Sequence, residues 1–258
     1  MNLLQPGIAV DLETGEVPVR RILGLNPGPM TGPGTNTYLV GSDKLTLIDP
    51  GPIDAVQLQN FLVAIGDATL VNILVTHTHG DHSPGAAALQ ERTGAEVLAF
   101  TDRDGLVCDR HLVDGDRVEG ADFTLRAIHT PGHAANHLCL VLEEDGLLFS
   151  GDHVLNGSTT VVDPPDGHMG DYLASLDKLV LACNEWHVQF ILPAHGYVLG
   201  NLWNEPYSAI DCIKRLKAHR LKREDKVRLA MQALPHGSLQ DWLPLAYDDV
   251  PEALWPVA

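Results

Sequence analysis

The chain is short of the features that mark several classes of protein. Only 4 of its 258 residues are cysteine, and they lie far apart with no C-x-x-C pair, which argues against a disulfide framework and against a cysteine zinc ribbon. No apolar run approaches the roughly 20 residues of a membrane span, and the N-terminus lacks the basic and apolar regions of a signal peptide. We therefore expect a soluble, cytoplasmic protein with no membrane contact.

Basic residues are also scarce. The chain has 17 Lys and Arg against 34 Asp and Glu, a formal net charge of -17, and such a chain usually repels nucleic acid because phosphate binding depends on Lys and Arg. Eight of the basic residues, however, lie between Lys214 and Arg228. A charged helix is more often a solvated face than a binding surface, and aromatic residues, on which bases stack, make up only 5% of the chain. The composition leaves open whether this basic segment binds nucleic acid.

Short β-rich runs alternate with helical spacing over most of the chain, which predicts layers of sheet with helices outside. Asp54 is expected to cap a first helix, Gly94 to end a second, and Asp171 to cap a third. From about Asn204 the chain becomes helical and charged, so we predict a catalytic domain over 1–203 and a short helical segment over 204–258. The strands are expected at 37–40 and 44–48, as a hairpin that ends at the turn 49–52, and at 72–75, 96–100, 117–118, 123–129, 137–142, 147–150 and 190–192, and the helices at 54–65, 84–93 and 172–183.

The stretch V-T-H-T-H-G-D-H, from residue 75 to 82, sets three histidines and an aspartate within six positions. In an extended chain His77, His79 and Asp81 point to one side and His82 to the other. A turn at Gly80, whose φ is unrestricted, would break this alternation and direct Asp81 and His82 to a second ion. Imidazole and carboxylate ligands suit zinc, and Fe(II) or Mn(II) accept the same ligands.

Three more residues that can bind metal each follow the end of a predicted strand. They are His133 in T-P-G-H, Asp152 in S-G-D-H and His195 in P-A-H-G. With these, the sequence resembles the metallo-β-lactamase fold superfamily, whose pattern H-x-H-x-D-H, then His, Asp and His, is matched in order. The resemblance covers roughly residues 20 to 200, and it implies an α/β fold, a four-layer αββα sandwich.

The resemblance also implies a role for each residue. His77, His79 and His133 would hold a first metal ion, Asp81, His82 and His195 a second, and Asp152 would bridge both. Asp81 would also orient a metal-bridging hydroxide, which makes it the catalytic residue. True class B β-lactamases generally have Cys or Ser in place of Asp152, so antibiotic hydrolysis is not the expected native role.

Three further residues are candidates for orienting these ligands from outside: Asn36, His137 and His153. A structural hydrogen bond at a strand end or turn is the alternative for each of them.

Other stretches narrow the resemblance. N-P-G-P-M-T-G-P-G-T-N-T-Y-L-V-G (26–41) and P-A-H-G are similar to the branch of the superfamily that includes the mitochondrial single-strand endoribonuclease β-lactamase-like protein 2. That branch carries a C-terminal winged-helix domain, and H-R-L-K-R-E-D-K-V (219–227) looks like its first part, so the chain would stop before the wing is complete. The Trp usual near Gly157 in the branch is missing here, which counts against a nucleic-acid substrate.

Three functions remain in view. The leading one is a di-zinc hydrolase, in its sharper form an endoribonuclease acting on single-stranded RNA. The alternative is a hydrolase of small-molecule esters or thioesters, similar to glyoxalase II, and the third is a regulatory binding protein with a vestigial metal site, against which the intact set of seven ligands argues. The oligomeric state stays open, because Trp203, Trp242 and Trp255 would serve a homodimer interface or core packing equally well.

Overall fold

The computed structural model describes residues 4–200, 207–252 and 255. Within them, two sheets pack face to face and helices cover both outer faces, so the predicted αββα architecture is confirmed. The predicted domain boundary near residue 203, and Trp203 itself, lie outside the described residues. None of the helices described is long and apolar enough to cross a membrane.

The first sheet has seven strands in the order β1 to β7. The first four are antiparallel, β3 and β4 forming the predicted hairpin, and β4 to β7 are parallel. Because parallel neighbours need crossovers, helices α1 and α2 lie between these strands in the chain. The strands are β1 (Ala9–Asp11), β2 (Val19–Leu23), β3 (Asn36–Val40), β4 (Lys44–Ile48), β5 (Thr69–Leu74), β6 (Glu96–Ala99) and β7 (Arg110–His111), and the helices are α1 (Ala55–Ile65) and α2 (Ala86–Thr93).

The second sheet has six strands in the order β13-β12-β11-β10-β9-β8. All neighbours are antiparallel except β11 and β12, which are joined through helix α3. The carboxyl ends of β9, β11 and β12 therefore lie at one edge of the sheet. The elements are β8 (Arg117–Glu119), β9 (Thr124–His129), β10 (Leu138–Leu142), β11 (Leu147–Gly151), α3 (Met169–Glu185), β12 (Phe190–Pro193) and β13 (Leu199–Gly200).

Three apolar clusters hold the layers together. One lies between the sheets, where the Tyr38 and Phe149 rings meet edge to face with centroids 5.2 Å apart. A second packs α1 and α2 on the first sheet, and a third packs α3 on the second sheet. Burial of these apolar faces is the main force that stacks the layers.

The helix ends show where local sequence was a good guide and where it was not. The Asp54 side chain accepts from the Gln57 amide at 2.7 Å and caps α1 as predicted. Gly94, at a φ of 73°, ends α2 as predicted, although α2 begins two residues later than Pro84. The prediction that Asp171 caps α3 was wrong: the helix begins at Met169, and His168 is its N-cap, with Nδ1 accepting from the Asp171 amide at 3.2 Å.

After residue 206 the described chain is helical, as predicted, with α4 (Ala209–Ala233) and α5 (Leu239–Ala246). Ala209 and Ile213 of α4 join the cluster beneath α3, so the start of α4 is part of the outer helical layer. No strand follows Gly200 in the described ranges, and a winged-helix wing stays a prediction. The Trp242 indole donates within the segment to Leu234 O at 2.9 Å, and that of Trp255 to Val250 O at 3.1 Å.

Candidate metal centre

The metal-binding candidates follow the carboxyl ends of strands from both sheets. The segment that begins at His77 follows β5 of the first sheet, whereas His133, Asp152 and His195 follow β9, β11 and β12 of the second. All seven predicted ligands meet where these edges of the two sheets approach each other, in two groups that could each hold an ion.

The first group consists of three imidazoles. His77 Nε2 lies 3.0 Å from His79 Nδ1 and 3.2 Å from His133 Nε2. Burial holds the pKa of His77 well below its usual value and also lowers that of His79. Neutral imidazoles so close together present lone pairs to a common point, which is the donor arrangement of a transition-metal site.

The second group joins two imidazoles to two carboxylates. His195 Nε2 lies 3.2 Å from Asp81 Oδ2 and 3.3 Å from Asp152 Oδ1, and His82 Nε2 lies 3.6 Å and 3.5 Å from the same oxygens. Burial alone would lower the pKa of His195, but the facing carboxylates of Asp152 and Asp81 raise it to about 9. Burial also opposes charge on Asp152, yet the facing His82 and His195 hold its pKa well below the usual value. The group therefore sets two carboxylates against two imidazoles around one point, where a bound cation would take the place of the imidazole protons.

Asp152 connects the two groups. Its Oδ1 faces His82 and His195, whereas its Oδ2 lies 3.5 Å from His133 Nε2 in the first group. The residue is buried. One carboxylate therefore reaches both groups, which is the placement that a bridging ligand requires.

Unpaired buried atoms test whether the site fits metal ions. His82 Nε2, His195 Nε2 and Asp152 Oδ1 are buried and make no hydrogen bond within the described residues, an arrangement that costs free energy unless an ion occupies the point they face. The opposite ring nitrogens do have acceptors: His82 Nδ1 donates to Asp49 Oδ2 at 2.9 Å, His133 Nδ1 to Val161 O at 2.6 Å, and His195 Nδ1 to Gly34 O at 3.3 Å. These bonds direct the lone pairs inward. The residues present thus fit two cations.

The chain divides its ligands between the groups by a turn, but Gly80 does not supply it through a special φ. Gly80 does not have a positive φ, and a Cβ there would meet no atom within 4 Å. The turn instead comes from the His82 and Ser83 amides, which both donate to His79 O, at 3.0 and 3.2 Å. The expected turn at Gly80 is therefore present, as part of the hydrogen-bonded turn that begins at His79, but it does not use a positive φ.

Asp49, which we did not single out from the sequence, connects a ligand of each group. Its carboxylate accepts from the Thr76 amide and hydroxyl, each at 2.7 Å, and from His82 Nδ1 at 2.9 Å. Because the Thr76 hydroxyl donates to Asp49, its oxygen is left to accept from His77 Nδ1 at 3.1 Å. The signal in the sequence was an acid directly after a strand, in I-D-P-G-P, which we read only as a turn.

Two of the three residues expected to orient the ligands from outside form hydrogen bonds with the backbone of segments that carry ligands. His137 Nε2 accepts from the Asp152 amide at 3.1 Å, and the Asn36 side chain donates to Pro193 O and Gly196 O, both at 2.9 Å, on either side of His195. His153 faces away from the ligands: its Nε2 contacts Tyr172 O at 3.3 Å, and burial lowers its pKa to about 3.

Asp102, Cys108 and His111 form another group of metal-capable side chains, and it differs from the centre. Asp102 and His111 are exposed, and Asp102 Oδ1 already bonds His111 Nε2 and the Cys108 amide, both at 3.0 Å. These groups hydrogen-bond one another, whereas the metal centre has buried ligand atoms that face a common point without such bonds.

Most of the basic segment of α4 is engaged within the chain. Lys217 pairs with Asp177, Arg223 with Asp249, Lys226 with Asp248 and Asp249, and Arg228 with Asp225, whereas the Arg215 guanidinium stacks on Tyr207. Arg220 donates to Thr160 O. Lys214 and Lys222 alone among the eight show no ion pair, side-chain hydrogen bond or cation–π contact in the described part of the chain.

Comparison with known proteins places this site in a family. The metallo-β-lactamase superfamily model matches residues 30–182. An atrochrysone carboxyl ACP thioesterase from Cryptosporiopsis sp. is 32% identical, over 88% of this chain and 69% of its own length. A β-lactamase-like protein 2 homologue from Drosophila melanogaster is 34% identical, over 93% of this chain and 83% of its own.

The solved structures agree on the fold. A β-lactamase domain protein from Burkholderia ambifaria superposes with a TM-score of 0.76 at 21% identity, over 99% of this chain and 86% of that one. The chain spans 66 to 69% of the length of three fungal relatives, so their whole length is not represented here. The matched model, the relatives and the convergent His and Asp cluster together show that this chain belongs to the metallo-β-lactamase superfamily and is a metal-dependent hydrolase.

Proposed function

We propose that the chain is a two-zinc hydrolase that cleaves thioesters. The observation that carries the two-metal part is Asp152, whose two oxygens face two separate groups of inward-directed ligand atoms. His77, His79 and His133 would hold one zinc ion, Asp81, His82 and His195 the other, with Asp152 between them.

The charge around the site favours a thioester over RNA. A single-stranded RNA substrate needs cations along its phosphates, whereas six of the eight basic side chains of α4 are bonded within the chain. Arg103, near the metal loop, is also paired, with Asp104 and Asp166. A thioester makes no such demand, and relatives at 32 to 36% identity are named as acyl carrier protein thioesterases.

The metal ions, when bound, would lower the pKa of a water molecule and stabilise the negative charge that develops during hydrolysis. Among the carboxylates of the second group, Asp81 is the more accessible, with 27% of its side chain exposed against 11% for Asp152. Burial raises the pKa of Asp81, but the facing His195 and His82 together outweigh it and the net shift is downward. Asp81 is therefore ionised at neutral pH, and its carboxylate can orient the attacking water and hold its proton.

The overall reaction adds water across the acyl–sulfur bond. The water oxygen forms a bond to the carbonyl carbon, the carbon–sulfur bond breaks with its electron pair going to sulfur, and the leaving thiolate takes up a proton from the water, which gives a carboxylic acid and a thiol. Asp49 and His137 would keep His82 and the Asp152 backbone in place meanwhile.

A substrate panel tests this proposal. Zinc-loaded protein and an Asp81→Ala variant would be given an S-acyl N-acetylcysteamine thioester, an unstructured RNA and a chromogenic cephalosporin. We expect thiol release from the thioester, reduced by about 100-fold or more in Asp81→Ala. Zinc-loaded protein that leaves the thioester intact would contradict the proposal.

Endoribonuclease activity is the second candidate, because similarity to the β-lactamase-like protein 2 homologues extends over 92 to 93% of the chain. Cleavage of the RNA with an unhydrolysed thioester would select it. Lys214 and Lys222, both exposed, are the cations that such a substrate could still use.

A further inference from the structure

The segment that connects β11 to α3 lies beside the metal centre and has little regular secondary structure. Between Gly151 and Met169 the chain forms no helix or strand. Two of its residues nevertheless touch the ligands: Val161 O accepts from His133 Nδ1 at 2.6 Å, and the Thr160 hydroxyl donates to Asp152 O at 2.7 Å. A segment that lacks its own hydrogen-bonded ladder needs outside contacts to stay in one position.

Arg220 provides such a contact from α4. Its Nη2 donates to Thr160 O, and its guanidinium carbon lies 5.2 Å from the centre of the Tyr172 ring. Thr160 is buried, and the next residue, Val161, carries the carbonyl oxygen that orients His133. Arg220 thus bonds Thr160, whose neighbour Val161 contacts His133 of the first metal group. The Thr160 side chain in turn bonds the backbone of the bridging Asp152.

Tyr172 adds a second route to the same site. Its hydroxyl donates to His153 O at 2.8 Å, next to Asp152, and its ring packs on His153 with centroids 4.4 Å apart. Its backbone also lies against Gly132, beside His133: a Cβ on Gly132 would stand 2.3 Å from Tyr172 N. The Arg220 guanidinium therefore rests on a residue that contacts two of the three ligand segments of the second sheet, those of His133 and Asp152.

We infer that Arg220 is a positioning residue: through Thr160 and Tyr172, α4 holds the 152–168 connection so that His133 and Asp152 keep the geometry needed to bind metal. This inference gives Arg220 of the basic segment a role inside the hydrolase rather than at a nucleic-acid surface. It rests on the proposed metal centre but does not depend on the identity of the substrate.

Arg223 offers a matched control, because it lies on the same helix and, like Arg220, donates to a carbonyl oxygen; it also pairs with a carboxylate. Its partners, Ala246 O and Asp249, belong to the C-terminal end of the chain and touch no metal ligand. Substitution of either arginine by alanine removes one guanidinium and its hydrogen bonds from α4, but only one of them contacts the connection.

The test measures zinc affinity without any substrate, by competition with a chromogenic chelator on metal-free full-length protein, together with amide hydrogen exchange over 152–168. In Arg220→Ala we expect zinc affinity about 10- to 100-fold below that of the unsubstituted protein and faster exchange in the connection. Arg220→Lys, which keeps one donor for Thr160 O, should lie between, and Arg223→Ala should match the unsubstituted protein in both readouts.

Unchanged zinc affinity and exchange in Arg220→Ala would overturn the inference, and so would an equal loss in Arg223→Ala. If Arg220→Ala does not fold, Thr160→Val decides instead, since it removes only the hydroxyl that holds Asp152 O, and zinc affinity equal to that of the unsubstituted protein would again refute the inference. An unsubstituted protein that binds no zinc would refute the proposed function itself, which is a different result.

Discussion

The Asp49 carboxylate shows how much of a metal site depends on residues that bind no metal. It accepts three hydrogen bonds, from the Thr76 amide and hydroxyl and from His82 Nδ1, and through Thr76 it also reaches His77. A ligand of each metal group thus depends on one buried side chain. Orientation of this kind fixes the imidazole tautomer and increases the affinity for the ion.

Replacement of Asp49 should therefore weaken metal binding without removing a ligand. We expect Asp49→Asn to lower zinc affinity by about 10- to 100-fold and to cost about 1–3 kcal/mol of unfolding free energy, because a charged acceptor in a buried network is lost. Chelator competition and urea unfolding measure the two effects. Asp54→Asn is the control, since asparagine also caps helices well, and undiminished zinc affinity in Asp49→Asn would refute the role.

Cys108 allows a pH-dependent prediction away from the centre. Burial, followed by the neighbouring Asp102, raises the pKa of its thiol to about 12. Because the thiolate is the reactive form and becomes abundant only near that pH, alkylation of Cys108 by iodoacetamide should be slow at pH 8 and accelerate steadily as the pH rises.

Asp102→Asn removes the nearby negative charge and should speed this alkylation at pH 8, as peptide mass spectrometry would detect. Labelling of Cys108 at the rate of an unperturbed cysteine would contradict the assignment.

At the scale of elements, glycines beside the ligands serve different purposes. Gly132 adopts a φ of 134° and lies so close to the start of α3 that a Cβ would stand 2.3 Å from Tyr172 N and Cα. Gly80 lies in open space within the metal loop and has no positive φ. The sequence marks both as glycine, but only the packing shows which one is required.

Alanine at the two positions should therefore give opposite results. We expect Gly132→Ala to cost roughly 2–4 kcal/mol from overpacking and backbone strain and to reduce zinc binding, because His133 is the next residue. Gly80→Ala should keep both stability and zinc content close to those of the unsubstituted protein. Thermal unfolding and metal analysis decide, and a tolerated Gly132→Ala would contradict the packing argument.

The elements also show what the sequence could predict. Strong patterns, such as the hairpin of β3 and β4 and the Asp54 cap, were predicted because the deciding contacts are local. The strands β1, β2, β7 and β13 were not: β1, β7 and β13 are only two or three residues long, and β2, V-R-R-I-L, has adjacent arginines that interrupt the apolar pattern. Likewise the seven site residues came together as the family pattern implied, whereas Asp49 and Arg220 act through contacts 27 to 60 residues away in sequence.

At the scale of the whole molecule, most basic side chains of α4 are paired within the chain, so this helix leaves little unpaired positive charge on the surface. Acids from α3 and from the C-terminal end of the chain neutralise Lys217, Arg223 and Lys226. The chain as a whole carries a net charge of -17. A long-range attraction for polyanions is therefore weak.

Salt should accordingly have little effect on catalysis. We expect kcat/KM for a neutral thioester to change by less than about 2-fold between low and moderate ionic strength, because screening acts mainly on exposed charges. An RNA substrate held by several phosphate contacts would instead lose on the order of a thousandfold in affinity over the same range. A steep salt dependence would favour the RNA hypothesis.

The central claim is a two-ion centre in which Asp152 serves both ions, and calorimetric titration of the metal-free protein with zinc tests it most directly. We expect two zinc ions per chain, one for each group of ligand atoms, with Asp152→Ala weakening both binding events and His195→Ala mainly the second. Saturation at a single ion, or an Asp152→Ala variant that still binds two ions with unchanged affinity, would contradict it.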